Sequence, residues 1–492
     1  MRSIALDPVV TLPPWRLARS GQISRLRAIL ILHLALTSIV AALGLLLPGL
    51  QIDPEFLLYP ACLLVTGSFA WILWSWYLLR KTVFDPYALF IIAAGLFNGG
   101  QALLEIFRVN PGGILAGEVQ PEISTKALFL VAISVLCFHA GALPALANKP
   151  RSKPDEASIP NREKALRLAG WLLLAIAFVP TINLLTGSFA LVMDYGYMAL
   201  YTNRIAAPLS VALSGFLVPG VIYLLSGSRR KPWTQLFCVL LVAVNAGASL
   251  FLGGRSGAVM SCVAAAWVFE NRVRRIPRSL IWFFVVAAVV VIPLVRNTRL
   301  TSGKDRLSWD TQVESLGSLE NPVSSSISEM GHQLVILTHT ITLVPDIRPF
   351  DLGVSYLYAA STIVPNIGWE VHPNVSHGLL ADWLVSTVDP GTAYSGGGLG
   401  FSFIAESYLN FGWVGGPLWL GFMGFGIASL FLMADGSDPA KHALVGSFLS
   451  FFLVFARGES ASITRGLVWY SLVPYLLVTA LTMRRGAKEA SL

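Results

Sequence analysis

The sequence predicts an all-α polytopic membrane protein with about twelve transmembrane helices, both termini in the cytoplasm and one large outer loop. Three observations predict it. Of the 492 residues, 55% are hydrophobic and only 13% are charged, and the mean hydropathy is +0.67. Apolar stretches of roughly 20 residues recur along the chain, the length an α-helix needs to cross about 30 Å of hydrocarbon. Lysine and arginine collect in alternate connections, as cytoplasmic loops require. A soluble chain of this length would instead divide into several domains with charged surfaces.

The elements follow in order. The first span, 28–49, is too long for a removable signal peptide and lacks a small-residue cleavage site. Spans at 56–79, 86–106, 126–146 and 166–186 come next, then 209–226, 234–253, 256–270 and 280–295, mostly with short connections. Residues 296–407 form a long extramembrane segment, and spans at 408–434, 442–456 and 465–483 complete the chain. The organisation is thus 1–295 with spans one to nine, 296–407 as the loop that handles substrate, and 408–492 with spans ten to twelve. All four cysteines (Cys62, Cys137, Cys238 and Cys262) lie in apolar runs without a CxxC pair, and read as small core residues.

Orientation follows from charge. With the N-terminus inside, 24 of the 35 basic residues fall on the cytoplasmic side, including "NKPRSKPDEASIPNREK", "SRRK", "NRVRRIPR" and the C-terminal "RRGAK". The net charge of +8 is then a topology signal and needs no nucleic acid to explain it. Eleven basic residues remain outside, nine of them arginine, against the positive-inside trend. Five converge on one face. Arg255 sits in the glycine hairpin "GGRSG", Arg457 and Arg465 in the outer turn "FARGESASITRG", and Arg296 and Arg299 emerge from span nine.

An arginine near a helix end also reaches the headgroups by snorkelling, with no further role. That account suits Arg255 less well, because flanking glycines let a ligand approach its backbone. Guanidinium is always charged and grips phosphate oxygens with two parallel N–H groups, which lysine cannot reproduce. The pattern points to an oxyanion at the outer interface, such as a lipid-linked phosphate or pyrophosphate.

The outer segment has two parts. The first becomes helical, with Glu329 and His332 spaced i, i+3 on one face. The second is rich in Trp, Tyr, His, Asp and Gly, a composition suited to the apolar faces and hydroxyl edges of sugar rings. His372, His377 and Asp382 match no familiar metal-ligand spacing, and "GGGLG" lacks the strand–helix setting of a nucleotide-binding loop.

At this point the residues resemble a family. "GGGLGFSFIAESYLNFGWVGGPLWLGFMGFGIASLF", the "GGRSG" hairpin, "FARGESASITRG" and the "EMGHQL…LVPDIRPFDLGVSYLYA…VPN" stretch are similar to O-antigen polysaccharide polymerases of the Wzy type, over roughly residues 240–480. The resemblance implies a bacterial inner-membrane enzyme with its active site facing the periplasm, so that the large outer loop is periplasmic. It implies transfer of a glycan from undecaprenyl pyrophosphate to a sugar hydroxyl of another lipid-linked repeat unit. It implies as partners the undecaprenyl-pyrophosphate-linked oligosaccharide, membrane lipids, and the chain-length regulator and flippase of the same pathway.

With no cofactor and no metal expected, arginines would stabilise the leaving pyrophosphate. That role falls to Arg255, Arg457 and Arg465, with Arg296 and Arg299 beside them. The acceptor hydroxyl needs a general base, and Glu406, Glu329 and His332 are the candidates. For Glu406 a helix N-terminal carboxylate stabilised by the macrodipole is an equal reading. Two other functions remain open: an O-antigen ligase, which uses the same donor, and a flippase or transporter for lipid-linked glycans. Against the transporter stand the lack of a repeat between halves and the clustering of charge at the outer edge.

Overall fold

The computed structural model describes residues 14–46, 52–110, 113–148, 159–203, 207–298, 313, 321–365 and 369–490, and among them there is no strand. The helices are α1 (Pro14–Leu46), α2 (Pro54–Arg80), α3 (Pro86–Ile106), α4 (Pro121–Ala145), α5 (Ile159–Tyr195) and α6 (Ala199–Thr202). They continue as α7 (Pro208–Ser214), α8 (Leu217–Ser226), α9 (Pro232–Phe251), α10 (Arg255–Arg272) and α11 (Arg278–Thr298). Short helices of the outer segment follow: α12 (Pro322–Gly331), α13 (Gln333–Leu343), α14 (Val354–Ser361), α15 (Pro373–His377), α16 (Leu380–Val388) and α17 (Pro390–Tyr394). The chain ends with α18 (Phe403–Leu432), α19 (Pro439–Phe452), α20 (Ala461–Gly466) and α21 (Val473–Ala490).

Local chemistry sets many of these starts. Proline stands in the first turn of α2, α3, α4, α7, α9, α12 and α19, where its missing N–H costs nothing. Asp53, Asp85 and Asp438 each precede such a proline and accept a backbone N–H of the first turn.

Ten helical stretches among the described residues are long and apolar enough to cross a membrane. They correspond to ten of the twelve expected spans. The remaining two, 256–270 and 280–295, are helices as well, α10 and α11, but neither reaches that apolar length in the described residues. α10 starts on Arg255 and ends on Arg272, which shortens its apolar middle. The protein is a multi-pass membrane protein on this architecture.

Small residues let the helices touch. A Cβ on Gly141 would stand 1.8 Å from the Gly421 carbonyl oxygen, and one on Gly424 would stand 2.0 Å from that of Phe138. α4 and α18 therefore cross backbone to backbone, as membrane helices do where lipid gives side chains no hydrophobic advantage. Around this crossing Phe90, Phe138, Phe403, Phe452 and Phe455 interlock as a buried aromatic cluster. Polar ties cross the bundle: Trp71 Nε1 donates to His33 Nδ1, whose Nε2 donates to the Leu136 carbonyl. Partners of this kind are what make buried imidazoles tolerable in hydrocarbon.

At one end, ion pairs join the helix connections. Arg80 bridges Asp85 and Asp435, Arg162 pairs with Asp438, and Arg272 pairs with Glu163. At the other end α18 breaks at Gly412, whose φ of +67° only glycine adopts without strain, and Phe350 closes on the kink. The break separates a short, buried N-terminal piece carrying Glu406 from the longer apolar remainder.

Candidate functional site

The site is built on one turn of α3. Gly100 faces α12 without a side chain, and a Cβ on Gly331 would lie 2.7 Å from the Gln101 nitrogen, so α12 seats directly on α3. Gln101 Nε2 donates to the Ser328 carbonyl at 3.0 Å, and Asn110 holds the other end of the Gln101 amide. Asn98 Nδ2 donates to the Ala456 carbonyl at 2.9 Å, and its Oδ1 accepts from Ser402 Oγ at 2.9 Å. Phe97 lies under the Arg457 guanidinium at 5.7 Å. Residues 97–101 thus position the neighbour of Arg457, the start of α18 and the helix that carries Glu329.

Arg255 enters from the opposite direction. The turn between α9 and α10 closes with Gly254 N donating to the Ser249 carbonyl at 2.7 Å, and Gly253 at φ +88° reverses the chain. Arg255, first residue of α10, then meets Glu329 with both prongs: Nη1 donates to Oε2 at 2.7 Å and Nη2 to Oε1. The side chains stay 15% and 26% exposed, so a soluble group can still reach the pair. His332, three residues after Glu329 at the junction of α12 and α13, is exposed.

Glu406 is enclosed. Its carboxylate accepts from Ser460 N at 2.7 Å, Ser460 Oγ at 2.6 Å and Ser355 Oγ at 3.0 Å, with the residue 1% exposed. Asn410 donates to the same Ser355 Oγ and accepts from Gly353 N. The residue expected as a base therefore clamps α14 and the turn after α19 to the N-terminal piece of α18. Its neighbour Glu459 does the same for α16, accepting from Leu380 N at 2.9 Å. Burial pushes the Glu459 carboxyl above its usual range, opposed by the backbone N–H groups of Leu380 and Ala381. Arg465 donates to the Thr362 carbonyl at 3.0 Å and lies on the exposed side of the same turn.

Glu329 is thus carried on the helix seated on α3, Arg457 lies over Phe97 of α3, Arg255 joins through its pair with Glu329, and Arg465 stands at the far side of the 457–465 turn. Arg296 lies in the last turn of α11, with its side chain outside the described residues, and Arg299 lies outside them altogether. His372 and His377 are engaged elsewhere: His372 contacts the Val364 carbonyl and Asn374 N, and His377 stacks on Tyr358 at 4.1 Å. Arg348 pairs with Asp351 and covers the Trp383 ring at 4.6 Å. A groove of about 1010 Å³ opens between α1, α4 and α18, with Phe129, Ile133, Trp413 and Leu418 among its apolar lining and Glu122, Lys126 and Asp346 among its charged lining.

Sequence reasoning missed Asn98, Gln101, Ser355, Glu459 and Ser460. The available signal was "NGGQ" at 98–101, a polar break inside an otherwise apolar span.

Fold and site define a multi-pass helical membrane protein with an arginine–carboxylate site at one end of its bundle, roofed by a segment of short helices. Residues 29–488 match the family O-antigen polysaccharide polymerase Wzy, and the chain belongs to that family. No curated protein and no solved structure matches the chain. At the level the family defines, the activity is polymerisation of O-antigen polysaccharide from lipid-linked oligosaccharide repeat units in the membrane.

Proposed function

We propose that the protein transfers a glycan from undecaprenyl pyrophosphate to a sugar hydroxyl of another lipid-linked repeat unit, on the periplasmic side of the bacterial inner membrane, without a metal ion. In this topology twelve spans leave both termini in the cytoplasm, and residues 296–407 form the periplasmic loop. The observation that supports the reading is a chain of contacts: Arg255 pairs with Glu329, the helix of Glu329 seats on α3 through Gln101, and Arg457 lies over Phe97 one turn before Gln101.

In the reaction the acceptor oxygen attacks the anomeric carbon. The new glycosidic C–O bond forms as the bond from that carbon to pyrophosphate breaks, and the electron pair leaves on the pyrophosphate oxygen. Arg255 and Arg457 stabilise this charge, with Arg465, Arg296 and Arg299 as further cations of the same face. In the resting protein Glu329 occupies Arg255. Pyrophosphate displaces it, which leaves a carboxylate beside the reacting atoms to take the hydroxyl proton, with His332 one turn away as the alternative acceptor. Glu406 acts through position, since its oxygens are committed to Ser460 and Ser355. The apolar groove beside α18 suits the tail of a lipid-linked substrate.

The test is glycan ladder analysis in a deletion strain, with purified protein assayed on lipid-linked repeat units in excess chelator. Loss of the polymerase leaves single capped units. Uncapped core with accumulated lipid-linked polymer would identify a ligase, and absence of both products a flippase. Activity that vanished in chelator and returned with magnesium would overturn the arginine-centred chemistry.

A further inference from the structure

Gln333, the first residue of α13, is only 8% exposed, and its Oε1 is shut off from solvent without a hydrogen-bond partner. Buried amides are nearly always paired, because an unpaired one keeps its full desolvation cost, so this one calls for a reason. Its position supplies one. The point where a Cβ on Gly400 would stand lies 3.7 Å from Gln333 Nε2 and 3.9 Å from the Arg457 carbonyl oxygen, so the amide and the arginine flank the same glycine. Gly400 itself has φ +78°, which keeps the loop open to a close approach at this place. In the other direction, Glu329 stands four residues before Gln333, near the end of α12 that adjoins α13. Glu329 holds Arg255, and Ser326 Oγ is likewise shut in without a partner. The unpaired amide therefore lies beside Gly400 against the Arg457 backbone, four residues from the carboxylate that holds Arg255.

We infer that Gln333 reads the sugar at this site, its carboxamide taking two adjacent hydroxyls of a neutral pyranose ring of the repeat unit. The inference rests on the polymerase reading. A carboxamide places one acceptor beside two donors on a rigid plane, which complements a vicinal diol: one hydroxyl donates to Oε1 and the next accepts from Nε2. A neutral ring suits it best, because the carboxamide offers hydrogen bonds and no counter-charge. A site that hydrogen-bonds a substrate hydroxyl discriminates strongly, since the wrong ligand leaves its polar groups unpaired.

The test uses purified full-length wild type, Gln333→Leu and Gln333→Glu, with lipid-linked repeat units extracted from a strain that lacks the polymerase. Gln333→Leu removes an unpaired buried amide, so its thermal midpoint should hold or rise, as for functional residues that cost stability. Its KM should increase by about tenfold or more, with a smaller change in kcat. Gln333→Glu, which loses the donors and adds a charge near Glu329, should raise KM as well. An unchanged KM in Gln333→Leu would overturn the inference. So would a fall in thermal midpoint that tracks the loss of activity, because that is the signature of a structural amide. If wild type itself fails to elongate the extracted units while staying folded, the polymerase reading fails and this assignment falls with it.

Discussion

Replacing Arg255 with lysine keeps the charge and removes the two-pronged grip, and the structure separates the effects this has on activity and on folding. In the resting protein the guanidinium holds Glu329 through both nitrogens, with the partners 15% and 26% exposed. Lysine leaves a cation beside Glu329, so no carboxylate is stranded without a partner and folding should change little. A lysine at a hairpin also snorkels as well as an arginine does. Against the leaving pyrophosphate the same change removes one charge-assisted contact in a partly desolvated site. That costs about 3 kcal/mol in the transition state, or about a hundredfold in rate. The assay measures membrane abundance together with polymer length in cells carrying Arg255→Lys, and elongation rate with purified protein. Abundance should stay near wild type while polymer collapses towards single units. Normal chain lengths would show that Arg255 is an interfacial anchor and would remove the central cation from the mechanism.

Three further outcomes are expected. Gly141→Ala should abolish accumulation of folded protein, because its Cβ would stand 1.8 Å from the Gly421 carbonyl oxygen at the α4–α18 crossing, and wild-type levels would refute that contact. The raised pKa of Glu459 stabilises the fold below the usual glutamate range and loses that contribution as pH rises through the raised value; Glu459→Gln should therefore flatten thermal stability against pH on the alkaline side, and an unchanged profile would count against it. Reporter fusions near Asp155 and Arg274 should read as cytoplasmic and those near Ser325 and Thr392 as periplasmic, while a cytoplasmic signal at Ser325 would reverse the placement of the site.

The helical membrane architecture was legible from the chain because hydrocarbon admits few alternatives. Each run of apolar residues must satisfy its own backbone, so length and hydropathy alone identify Pro54–Arg80 or Pro121–Ala145 as helices. Arg255 and Arg457 were legible for a related reason, since permanent cations among apolar and small residues demand a partner. What those cations meet was not. Glu329 lies 74 residues from Arg255, and Phe97 is separated from Arg457 by most of the chain. Only the seating of α12 on α3, through Gly100 and Gly331, brings them together.

Glu406 shows the same limit from the other side. The sequence reveals a carboxylate at the start of a membrane-length helix, and local pattern leaves base and helix-terminal anion equally open. The tertiary structure folds Ser460 and Ser355 over it from two distant segments, which commits its oxygens to holding the turn beside Arg457. Sequence by itself determined which segments are apolar helices of membrane length, because that follows from local hydropathy. Which carboxylate is held and which is reachable was decided by packing, because enclosure depends on neighbours that no local pattern encodes.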